Sequence, residues 1–109
     1  MFDSAVRSKG DLAGVFEYEE TDGPENATAY FYLCRVVEGE TAGSILDSIH
    51  VRSHQWAITE ADVAVRWDSS EQRLGFFVFG TLVAAFDVTT GVKHGGQYGK
   101  DFNAEIPWS

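Results

Sequence analysis

The stretch RLGFFVFGTLVAAFDV, residues 73–88, constrains this chain more than any other. It holds two apolar runs, and Gly80-Thr81 between them reads as a tight two-residue hairpin turn of the primed type. Leu74, Phe76, Val78, Leu82, Ala84 and Phe86 occupy alternating positions, with Phe77, Phe79, Val83 and Ala85 on the intervening ones. Strands apolar on both faces need cover on both sides. Each fully buried Phe is worth roughly 1.5–3 kcal/mol, so leaving Phe77 and Phe79 in water is costly and favours aggregation. The expectation is a homodimer with two-fold symmetry, joined through this sheet face or through its edge strand. The competing monomer folds the 12–37 hairpin over the second face as a sandwich.

The segments around this core also alternate. DVAVRW, residues 62–67, places Val63, Val65 and Trp67 on one face, and residues 68–72 make a turn into the first apolar run. This completes a three-stranded meander. Its Trp-Asp and Asp-Val-Thr-Thr-Gly elements look like one propeller blade, but a propeller needs at least about four. Upstream, LAGVFEYEE at residues 12–20 sets Leu12, Phe16 and Tyr18 on one face and Glu17 and Glu19 on the other. Turn-forming residues 21–26 lead into TAYFYLCRVV, which is rich in aromatic and β-branched residues. These read as a hairpin with an acidic tip, and residues 38–43 as a loop.

SILDSIHVRSHQWAI, residues 44–58, is ambiguous. Ser44 with Asp47 is a weak capping box, and Ile45, Ile49, Arg52 and Trp56 fit one helical face, yet Ile49, Val51 and Ser53 alternate as a strand does. The reading favoured is a helical turn at 44–48 running into a strand at 49–55. The architecture expected is therefore mostly β, α+β at most. It has five to six antiparallel strands, as a hairpin plus a three-stranded meander, with one short helical segment. Residues 1–11, polar and aperiodic, read as a flexible arm, and 12–109 as a single domain.

Seventeen Asp and Glu against eight Lys and Arg leave a net charge of −9. That balance argues against nucleic-acid binding by direct phosphate contact and against docking on anionic lipid. No apolar run approaches the about 18 residues of a membrane span. The first residues lack the basic-then-apolar pattern of a signal peptide, and one cysteine, Cys34, forms no internal disulfide. A cytoplasmic protein is expected, and the Asn26-Ala27-Thr28 sequon then reads as chance.

No constellation amounts to a catalytic signature. On a helix Asp47, His50 and His54 would share a face and offer a carboxylate and two imidazoles to a metal. On a strand the two histidines stand about 13 Å apart, too far to chelate together. The glycine-rich run 91–101 falls one residue short of phosphate-loop spacing, and Asp101 stands where Ser or Thr is required. Glu17, Glu19, Glu20, Asp22 and Glu25 crowd one hairpin, where carboxyl groups stay wet and ionised rather than shifted for acid catalysis. Cys34 reads as a small buried hydrophobe. Tyr30, Tyr32, Trp56 and Trp67 are residue types that concentrate at recognition surfaces as well as in cores. No cofactor is implied.

Three segments carry a resemblance: VFEYEETDGPENATAYFYL, SILDSIHV and VRWDSSEQRLGFFVFGTLVAAFDVTTG. Phe16-Glu17, Tyr30-Phe31-Tyr32, Ile45-Leu46-Asp47 with His50, Trp67-Asp68-Ser69 and Ala84-Ala85-Phe86-Asp87 together resemble a family of small uncharacterised bacterial proteins. The likeness spans roughly residues 15 to 91. It departs at the longer hairpin tip and at the 91–101 loop, where the family's cysteine is absent. The resemblance implies a fold and a bacterial origin but no chemistry, and singles out Asp47, His50, Trp67 and Asp87.

Three functions fit. The first is a small non-catalytic interaction domain, immunity- or inhibitor-like, binding a basic partner through Glu17, Glu19, Glu20, Asp22, Glu25 and Trp56. The second is a small-ligand module or enzyme with a pocket between the sheet and residues 45–56. The third is a structural, self-associating subunit.

Overall fold

The structure, a computed structural model, describes residues 2–20, 23–36, 44–53, 56–95 and 108. It is mostly β: two four-stranded antiparallel sheets, each paired in chain order. The first sheet holds β1 (Phe2–Val6), β2 (Leu12–Glu19), β3 (Thr28–Arg35) and β4 (Ser44–Ser53). The second holds β5 (Val63–Trp67), β6 (Arg73–Val78), β7 (Thr81–Asp87) and β8 (Lys93–Gly95). Two single 3-10 turns, Pro24–Asn26 and Glu60–Asp62, are the helical elements among the described residues. None is long and apolar enough to cross a membrane.

Alternation determines which side of each strand faces inward. Phe16 and Phe31, opposite each other on β2 and β3, point into the space between the sheets, as do Leu74 and Phe76 of β6, and all four are fully buried. Phe16 stacks on Phe76 across the interior with ring centroids 4.1 Å apart, and Phe31 lies 5.1 Å from Phe86. At Gly14 the sheets leave no room for a side chain: a Cβ there would stand 2.5–2.8 Å from Leu74 and Val65. The crossover between the sheets closes the aromatic core. Trp56 presents its ring edge-on to Phe16 and Phe76, and its backbone N–H donates to the Tyr18 hydroxyl at 2.9 Å.

Side chains stitch both flanks of the sandwich. On one flank Val65 N–H donates to Asp3 Oδ2 at 2.8 Å and Trp67 Nε1 to Ala5 O at 3.1 Å, tying β1 to β5. On the other, Lys93 of β8 meets Asp47 of β4 at 3.2 Å.

Several expectations are corrected. Residues 2–6 are not part of a flexible arm but pair with β2 along their whole length. Residues 44–48 form no helical turn; they are the first half of β4, because the β3 edge supplies partners for their backbone groups. The chain therefore has more strands than the five to six expected, β1 and β8 being the additions.

The β6–β7 turn consists of Phe79-Gly80 rather than Gly80-Thr81. Both residues have positive φ, 49° and 77°, the signature of the primed class. A bulge follows, with Phe76 opposite Ala84 but Phe77 opposite Leu82, leaving Val83 as the extra residue. The bulge reverses the expected parity, so Val83 packs against the core and Leu82 joins Phe77 on the outside. Trp108 supplies the cover there. Its ring stands edge-on to Phe77 at 5.2 Å, and a Cβ at Gly75 would come within 2.8 Å of it. Phe77 is therefore partly covered from within its own chain and does not require a second subunit to shield it.

Candidate functional site

The outer face of the first sheet carries the densest set of chemistry-bearing side chains. Antiparallel pairing aligns Phe2, Glu17, Tyr30 and His50 in one row across the four strands, and Ser4, Val15, Tyr32 and Ser48 in the next. Glu19 follows Glu17 on the same side of β2, as period-two geometry requires. The Tyr30 ring lies between two others, 5.8 Å from Tyr32 and 4.8 Å from His50, with interplanar angles of 12° and 18°. His50 Nε2 and Ser53 Oγ are 2.9 Å apart.

Electrostatics sharpen this picture. A hydrogen bond with Glu19, together with partial burial and the Glu19 charge, raises the Glu17 carboxyl above its usual range. Partial burial raises the Tyr32 phenol, with the Glu17 charge adding to it. No Lys or Arg stands in these rows among the described residues. Phe2, Val6 and Ile45, at the margins of the face, are each more than half exposed. The arrangement is a half-buried ring stack beside a pair of crowded carboxyl groups, bordered by exposed apolar side chains.

The sequence-derived candidates are scattered relative to this face. Glu17, Glu19 and His50 come together on it. Glu20 instead accepts from the Tyr18 hydroxyl at 2.6 Å and lines, with Ile58, Thr59 and Glu60, an open hollow of about 430 Å³. Glu25 is exposed on the 3-10 turn of the hairpin tip, and Asp22 lies outside the described residues. Trp56 is turned toward the core, with the Arg52 guanidinium 5.3 Å over its ring. Among the resemblance positions, Asp47 and Trp67 belong to the two flanks. The Arg7 guanidinium lies 5.5 Å over Trp67. Asp87 accepts from the N–H groups of Thr89 and Thr90 and so builds the turn after β7.

The remaining motifs do not converge among the described residues. Asp47 and His50 lie on a strand and reach different surroundings, one the Lys93 flank and the other the ring stack. His54 lies outside the described residues, as do residues 96–101 of the glycine-rich run. Among the described residues no group of three His, Cys, Asp or Glu is placed to hold a metal. Burial raises the half-buried Cys34 thiol, which disfavours the reactive thiolate. The pocket expected between the sheet and residues 45–56 lacks its premise, since 44–53 is a strand within the sheet.

One buried charge escaped the sequence reading. Asp68 is 3% exposed. Burial pushes its carboxyl up, but hydrogen bonds from the N–H groups of Arg73 and Gln72, the Ser70 hydroxyl and the Arg73 guanidinium outweigh this and hold it below its usual value. Its partners all belong to its own turn, so it is a structural anion. Its sequence signals were the Asp-Ser-Ser-Glu-Gln turn composition and its place in the Trp67-Asp68-Ser69 element. Compared with known protein families, curated proteins and solved structures, the chain matches none.

Proposed function

We propose that this is a non-catalytic recognition domain that binds a basic protein partner on the outer face of its first sheet. The observation that carries the reading is the Glu17–Glu19 pair set beside the parallel Tyr32, Tyr30 and His50 rings. Two carboxyl groups crowded on one side of β2 offer a cation a favourable place to bind. The stacked rings next to them offer contact area at low entropy cost along their exposed edges. The chain's net charge of −9 adds long-range steering toward a basic partner, raising association rate and specificity more than final affinity.

The test is titration of the protein with arginine- and lysine-rich peptides, followed by amide shifts and repeated at increasing salt. Shifts should centre on β2, β3 and β4 around Glu17, Tyr30 and His50, and affinity should fall as salt rises. Replacing Glu17 and Glu19 together by Gln should weaken binding by roughly tenfold and flatten the salt dependence. Shifts confined to another surface, or the same affinity in the double variant, would reject this reading.

A further inference from the structure

Beyond that reading, we infer that the tip of the β6–β7 hairpin is a docking surface for a second copy of this chain, with Phe79 of each copy seated in a hollow of the other. Phe79 is the residue most at odds with its surroundings. It occupies the first central position of a turn whose two residues both have positive φ, a place suited to Asn, Asp or Gly and strained for a bulky side chain. It is also 68% exposed, the most exposed of the large hydrophobic residues described. Strain and exposure together bring no benefit to the isolated chain. Its backbone is nevertheless held firmly, the N–H donating to Asp62 O at 2.8 Å, so the ring is projected from a fixed point.

Directly beside this ring lies a concavity of about 320 Å³, lined by Val63, Ala64, Phe77, Asp62, Arg66 and Phe79 itself. Its lining is mixed, with apolar surface from Val63, Ala64, Phe77 and Phe79 and polar surface, including the charged Asp62 and Arg66, in about equal share. The Arg66 guanidinium lies 5.6 Å over the Phe77 ring. A projecting ring and a hollow side by side on one surface form the self-complementary pattern that a two-fold interface requires. The charges match in the same way. Asp62 and Arg66 both line the hollow, so a two-fold axis can bring Arg66 of one copy to Asp62 of the other. A strongly basic or strongly acidic partner would leave one of the two opposed. The contact is small, two Phe rings and their rims, so the dimer expected is weak, in the micromolar-to-millimolar range.

Sedimentation equilibrium from micromolar to millimolar protein decides the matter. Wild type should pass from monomer to dimer across that range. F79N should remain monomeric throughout while melting no lower than wild type, because Asn-Gly suits this turn. F79W should still dimerise. R66E, a change at an exposed side chain, should weaken the dimer by about fivefold or more with the fold intact. A wild type that stays monomeric at millimolar concentration overturns the inference, and so does an R66E or a folded F79N that dimerises like wild type. Should F79N fail to fold, R66E alone carries the test.

Discussion

Both sheets have four antiparallel strands paired in chain order, yet their outer faces have opposite characters. The first sheet presents Glu17, Glu19, Tyr30, Tyr32 and His50 beside solvent, with large, polar-tipped side chains standing in rows. The second has Gly75, Phe77, Leu82 and Ala85 on its outside, and Trp108 lies over part of that surface, leaving Gly75 and Ala85 buried. Among the described residues, the first sheet keeps these side chains at least partly exposed, while the second is partly sheathed by Trp108, distant in the chain. Identical topology says nothing about availability. Side-chain size at the outward positions and one distant tryptophan decide it.

The comparison can be broken most severely from inside. Gly14→Ala puts a methyl group 2.5–2.8 Å from buried Leu74 and Val65, where neither has room to retreat. A loss of about 2 kcal/mol is expected in urea unfolding, because overpacking a tight core forces backbone shifts. Next in size is Trp108→Ala, which strips the cover from Phe77 and Gly75. It should cost roughly 1.5 kcal/mol and increase binding of a hydrophobic dye. Unchanged stability and dye binding would mean the two outer faces are equally open.

Gly75→Ala tests the same contrast more gently. Its Cβ would meet Leu82 and Trp108 at 2.8 Å, but both can move, and removing a glycine from the unfolded chain returns roughly 0.4–1 kcal/mol. The net loss should be below about 1 kcal/mol and should shrink further in the Trp108→Ala background, a coupling that a double-mutant cycle measures.

The smallest effect is at the first sheet's face, through Glu17→Gln. The raised carboxyl pKa of Glu17 means that the folded state holds its proton more tightly than the unfolded one. Its stabilising contribution is present below the ordinary Glu range and is lost as pH rises through the raised folded value. The variant lacks this ionisation. It should therefore match or slightly exceed wild type at neutral pH and lose that advantage in acid, as paired urea titrations would show.

Much of this was legible beforehand, for local reasons. Alternation in residues 12–20 already separated Phe16 and Tyr18 from Glu17 and Glu19, and the meander of residues 62–88 was visible in its apolar runs and turn residues. Misreadings arose where a local preference competed with pairing. Ser44 and Asp47 suit a helix start, but β3 supplied a strand edge. The glycine of the β6–β7 turn was identified correctly, yet the register placed Phe79 beside it in the turn and a bulge then inverted Leu82 and Val83. Residues 2–6 show no periodicity because Phe2 and Val6 stay exposed and the strand is held by pairing with β2 and by Asp3 and Ala5 reaching β5.

The candidate site divides the same way. Its residues were each named from the sequence, but nothing local says that Glu17, Tyr30 and His50 share a row, since that depends on the pairing register of three strands.

By itself, then, the sequence determined the β character, the alternation of β2 and of the meander strands, and the strongly acidic balance. These follow from side-chain period, turn chemistry and composition, which act over a few residues or over none in particular. Only the tertiary structure decided which carboxylates and rings meet, which sheet face is covered and where Phe79 points. Those outcomes rest on contacts between positions far apart in the chain, as between Phe77 and Trp108 or Phe79 and Asp62, whose geometry exists only once the sheets have paired and packed.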